Sequence, residues 1–133
     1  MTGADIIGAL LLADAGVIAK VPAKHIKAGR LADGSGLPSL LVRVVSLIDR
    51  QPLRRAGWER STARVSVTVR AKSYREQNAV IAAVRKMPRG AVGTVGAAEN
   101  VVVLTAGLGP DVNGPGDTFE QTQDFRVSFD ALL

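Results

Sequence analysis

From Thr62 to Lys72, Val65, Val67 and Val69 alternate with Arg64, Ser66, Thr68 and Arg70. A period of two over this length fits an extended strand with one buried and one wet face, and little else. The same alternation returns near the end of the chain. From Gln121 to Phe129, Phe125, Val127 and Phe129 form one set, and Asp124, Arg126 and Ser128 the other. Leu40 to Ile48 is apolar on both faces, with only Arg43 and Ser46 as breaks, which predicts a strand covered on both sides. Val101 to Thr105 is a shorter apolar run and predicts a fourth strand.

Two segments carry helical spacing instead. Thr2 is placed to cap a helix running to about Asp14, with Asp5 three residues on and Ile6, Ile7, Leu10 and Leu11 recurring behind it; Gly16 is the expected stop. Ser73 and Glu76 repeat the capping pattern for a second helix. Its apolar side is expected to hold Tyr74, Ile81 and Val84, with Val80 and Met87 beside them, and Pro88 and Gly90 end it. The order helix, strand, strand, helix, strand, strand predicts an α+β fold: a mainly antiparallel sheet of about four strands with two helices packed on it. At 133 residues this is a single domain, residues 1–133.

The remaining segments read as loops. Val17 to Pro38 is irregular, with a short strand between Val17 and Ile26 limited by Pro22, and Asp33-Gly34-Ser35-Gly36 forms a turn. Asp49 to Glu59 and Gly93 to Glu99 are loops as well. Gly107 to Thr118, with its glycines and prolines, is too irregular for regular structure and is expected to be mobile in the free chain.

Catalytic chemistry has little to build on. The chain has no cysteine and one histidine, His25, which is expected on a surface loop. No G-x-S-x-G motif accompanies it. The glycine-rich stretch after Gly107 lacks the Lys and the hydroxyl of a phosphate loop, and Pro110 and Pro115 remove amides that would hold phosphate. Carboxylates are scattered rather than gathered in a calcium-type loop. The expectation is no enzyme, no cofactor and no metal. No apolar run is long enough to span a membrane and no secretory leader is evident, so the expectation is a soluble chain without a targeting peptide.

Charge is the feature that points to partners. The net charge is +5, but residues 1–89 carry sixteen Lys or Arg against six acids, and residues 90–133 carry one Arg against six acids. A basic balance is one mark of a nucleic-acid-binding module. Against that reading, no nucleic-acid fingerprint is present, and three Phe, one Tyr and one Trp are few for base stacking. A split of this kind also lets one copy's basic surface meet another copy's acidic surface. The candidate interface residues are Arg54, Arg55, Arg60 and Arg64 facing Asp111, Asp117, Glu120 and Asp124, with Trp58 as an aromatic anchor beside the arginines. The alternatives are that these charges pair within one subunit and that Trp58 folds back over the sheet.

The stretch Arg64-Val-Ser-Val-Thr-Val-Arg-Ala-Lys-Ser-Tyr-Arg-Glu-Gln-Asn-Ala-Val-Ile-Ala-Ala-Val-Arg resembles the central strand–helix segment of the tail-terminator (tail-completion) proteins of long-tailed bacteriophages. The loop Leu104-Thr-Ala-Gly-Leu-Gly-Pro-Asp-Val-Asn-Gly-Pro-Gly-Asp, followed by Phe119-Glu-Gln-Thr-Gln-Asp-Phe-Arg-Val-Ser-Phe, is similar to that family's closing loop and strand. The resemblance covers most of the chain and is weakest over Val17 to Pro38. It implies a virion protein, assembled in the host cytoplasm, that forms a ring, usually a hexamer, in the tail–neck region. Such a ring caps the major tail tube protein and stops tube growth. It then meets the head-completion (stopper) protein of the neck, and DNA passes through its lumen without sequence readout. The family also occurs in gene transfer agents and defective prophages, and it has no catalytic residues to carry over.

Overall fold

The two alternating segments become two long strands lying side by side at the centre of one sheet. In the computed structural model, which describes residues 1–31, 36–50, 53 and 57–132, they are β3, Trp58–Ala71, and β7, Thr118–Leu132. They pair antiparallel with Val65 opposite Phe125 and Ala63 opposite Val127. The remaining strands are β1 (Ile26–Ala28), β2 (Ser39–Arg50), β4 (Gly90–Val95), β5 (Ala98–Leu108) and β6 (Val112–Gly114). The sheet order is β1-β2-β3-β7-β5-β4, with β6 also paired to β7. Among the described residues, only β1 and β2 run parallel.

The α+β expectation holds, but the strand number does not: among the described residues the sheet has seven strands rather than about four. The added strands are β1, β4 and β6, and the last two are hidden by their composition. Gly93 to Glu99 was expected as a loop, yet β4 and the start of β5 form a hairpin there, in which Gly90, Gly93 and Gly96 take positive φ. Those φ values strain any residue with a side chain, so glycine marks the bulged turn here rather than an absence of structure. β5 runs on to Leu108 and β6 takes three residues, both inside the stretch expected to be irregular. β1 is three residues long, too short for a periodicity to register.

Three α-helices accompany the sheet among the described residues. α1, Gly3–Ala13, starts as expected: the Thr2 hydroxyl accepts from the Asp5 amide, and the Asp5 carboxylate accepts from the Thr2 amide. It ends as expected near Asp14, whose side chain accepts from the Val17 amide and starts a one-turn helix, α2, Ala15–Ile18, so Gly16 lies inside that turn rather than at a stop. A further single turn spans Ala23–His25, where a strand was expected. His25 is half-buried, with Nδ1 3.0 Å from the Pro38 carbonyl oxygen. α3, Tyr74–Arg85, is capped by Ser73, which accepts from the Glu76 amide. Among the described residues, no helix is long and apolar enough to cross a membrane.

Ile6, Ile7 and Leu11 of α1 and Val80, Ile81 and Val84 of α3 share one core with Leu40, Val42, Val65, Val67, Val69, Val103, Phe125 and Val127. These strand residues all lie on one face, so the helices cover one side of the sheet and leave the other open. α1 packs tightly at Gly3, where an added Cβ would sit 2.7 Å from the Cβ of Ala63. Tyr74 departs from expectation: it is about half exposed, whereas the polar Gln77 on the same helix is fully buried, as is Val84.

Candidate functional site

The open face of the sheet is built from the polar halves of the alternating strands. Along the β3–β7 pair these residues bond to one another in a ladder. Arg60 donates from Nη1 to Asp130 (3.1 Å) and to the Asn100 carbonyl (2.8 Å), and the Asn100 side chain donates to the other Asp130 oxygen (2.7 Å). Thr62 meets Ser128 at 3.1 Å, and Thr68 meets Thr122 at 2.9 Å. Arg70 Nε donates to Glu120 at 2.7 Å. The Asn100 amide and the Arg60 guanidinium together hold the Asp130 carboxyl below the usual aspartate range.

Register sets Arg64 directly opposite Arg126. Like charges facing each other across a strand pair are unfavourable. Arg64 turns aside instead: its Nε donates to Asp124 at 2.8 Å and its Nη2 to the Ala106 carbonyl at 2.9 Å. That carbonyl is within reach because β5 bulges between Thr105 and Gly107, where Gly107 has φ +123°.

A second polar cluster lies where β5 leaves the sheet. Asp111 accepts from Gln77 Nε2 (2.8 Å) and from the Tyr74 hydroxyl (3.0 Å). Gln121 donates to the Gly109 carbonyl and Gln123 to the Gly107 carbonyl, each at 3.0 Å. Gln77, Gln121 and Gln123 thus tie the 107–111 segment to α3 and β7. The sequence reading missed these glutamines, although Gln121 and Gln123 are in phase with Phe125 and Val127 and so mark polar atoms on the buried side.

The expected interface residues therefore divide. Arg60, Arg64, Glu120 and Asp124 each have an ion-pair partner within the chain, in the intrachain arrangement that was the alternative. The partners are Asp130 for Arg60 and Arg70 for Glu120, neither of which was among the candidates. Asp111 is bonded to α3, and Asp117 is exposed with φ +59°. Trp58 opens β3, is 41% exposed, and borders a recess of about 320 Å³ lined also by Glu99, Asn100, Asp130 and Ala131. Arg54 and Arg55 lie outside the described residues.

Apolar side chains are exposed at the two lateral margins of the sheet. Val44, Val45, Leu47 and Ile48 line β2, and Leu104, Leu108 and Val112 line β5 and β6.

No family model matches this sequence, and no curated protein does. Its fold matches that of a chain solved in the virion of a native gene transfer agent (GTA) particle, with a TM-score of 0.71 over 97% of this chain and 95% of that one. The two sequences are 14% identical, so the likeness is one of fold.

Proposed function

We propose that this chain is a structural virion protein of the tail-terminator type, with no catalytic role. In this reading copies form a ring, a hexamer by analogy with the family. The ring caps the tail tube protein and ends its polymerisation, then joins the head-completion protein of the neck while DNA passes through the lumen. The observation that carries the reading is the fold match to a virion chain along nearly the whole length of both. It adds to the resemblance in the Arg64–Arg85 and Leu104–Phe129 segments, which rests on different information.

The charge pattern fits this better than nucleic-acid binding. Three arginines of the open face, Arg60, Arg64 and Arg70, are already engaged by carboxylates. Those carboxylates offset the positive field that phosphate binding needs.

The test is a tube-growth assay with the cognate tail tube protein. Added during polymerisation, the chain should shorten the tubes seen by electron microscopy and sit at one end of each. Tubes of unchanged length with bare ends would refute the proposal. A salt-sensitive shift of duplex DNA by a monomer, together with unchanged tubes, would favour the nucleic-acid reading.

A further inference from the structure

We infer that copies of this chain join edge to edge, the free margin of β2 from one copy pairing with the free margin of β5 from the next. This deepens the ring reading and rests on it, since it names the surfaces through which the ring closes.

β1 pairs with β2 only at Leu40, Leu41 and Val42, so among the described residues no strand pairs with that side of β2 from Arg43 to Arg50. On the opposite margin β4 covers β5 only as far as Val103, leaving Leu104 to Leu108 without a strand neighbour there among the described residues. Unpaired edges of this length are templates for another strand, and folded proteins usually blunt them. β4 is blunted, with two register shifts in six residues. The two free stretches are flanked by apolar side chains instead. Leu47 and Leu108 lie on the helix-covered side and Ile48 and Leu104 on the open side, all at least 41% exposed. Pairing the edges would set aliphatic against aliphatic on both faces of the new junction.

Charge favours this partner over an unrelated one. Among the described residues, Lys24, Lys27, Arg30, Arg43 and Arg50 gather on the β1–β2 side, against one acid, Asp49. From Gly90 to Asp117 the acids are Glu99, Asp111 and Asp117, and there is no Lys or Arg. The two margins of one sheet are therefore opposite in sign, which suits a contact between two different surfaces of identical subunits. Direction agrees as well. β2 and β5 run oppositely within a copy, so a rotation about an axis along the strands brings β5 of one copy antiparallel to β2 of the next.

The experiment uses the full chain and two variants, Ile48→Lys and Leu104→Lys. Each substitution is at an exposed side chain, and thermal unfolding checks that both variants stay folded. Light scattering and sedimentation should show the parent assembling and each variant alone raising the concentration for half assembly at least about tenfold. Mixed one to one, the variants should give a dimer that grows no further, because each lends its one intact edge to the other. Hydrogen exchange on the parent should slow at 43–50 and 104–108 on assembly. The inference is overturned if either variant assembles like the parent, if the folded variants fail to pair, or if exchange at both edges is unchanged by assembly. A parent that stays monomeric to about 1 mM also overturns it. Rings that survive both substitutions would leave the proposed function standing, whereas a chain that neither assembles nor halts tube growth would overturn both.

Discussion

Phe125 and Arg126 are adjacent in sequence and on opposite faces of the central strand, so paired substitutions there test the register of the sheet. The Phe125 side chain is fully buried, opposite Val65 on β3 and Thr105 on β5, beneath the helical layer. Phe125→Ala removes a buried ring from the centre of the core, and the expected cost is about 3–5 kcal/mol. A single domain has about 5–15 kcal/mol in all, so this is a large share. Arg126 is exposed and faces the like charge of Arg64. Arg126→Ala should change stability by no more than about 0.5 kcal/mol, in the stabilising direction if the repulsion is felt. Urea unfolding followed by circular dichroism measures both. A shift of β7 by one residue would move its apolar set to the open face and exchange the two outcomes. A cost below about 1 kcal/mol for Phe125→Ala, or a larger cost for Arg126→Ala, would refute the assigned faces.

Gly3→Ala should destabilise by about 1–3 kcal/mol, since the new methyl group would lie 2.7 Å from Ala63 Cβ and α1 would have to lift; a neutral result in thermal melts would mean that α1 sits further from β3. Asp111→Ala should cost about 1–2 kcal/mol and speed amide exchange at Val112 and Asn113, because Gln77 and Tyr74 lose their shared acceptor; unchanged exchange would mean that the segment is held by other contacts. Asp130 has a lowered pKa in the folded chain, so its contribution to stability is complete above the unfolded aspartate value and is lost as pH falls through the folded one. Acid unfolding of Asp130→Asn should therefore be less steep below about pH 4 than that of the parent, and coincident curves would count against the bonds drawn to Asn100 and Arg60.

The strands of the sheet centre and the two main helices were legible because their signals are local and repeated. Val65, Val67 and Val69 mark a face, and Thr2 with Asp5 and Ser73 with Glu76 mark helix starts. Elements set by pairing rather than by their own composition were not legible. β4, β6 and the end of β5 are rich in glycine, and they become strands because β5 and β7 lie beside them with hydrogen-bonding edges. The candidate interface was legible as charge but not as partnership. Arg64 and Asp124 could be placed on outer faces from alternation alone, but whether they meet depends on β7 inserting beside β3, a long-range event with no local signature.

That insertion governs how the chain reaches its native state. β7 follows all the other strands in sequence, yet it lies between β3 and β5. The β2–β3 and β4–β5 hairpins are made from neighbouring segments and can close early, on the scale of about 1–10 μs. Neither has a finished edge until the last strand arrives, and Arg60 is seventy residues from Asp130. Loop closure over such spans precedes the contacts that reward it, which places the rate-limiting step at the docking of β7 and makes folding slow for a chain of this size. Until then two half-sheets with open, apolar margins coexist in one molecule, and that interval is when this chain is most exposed to aggregation.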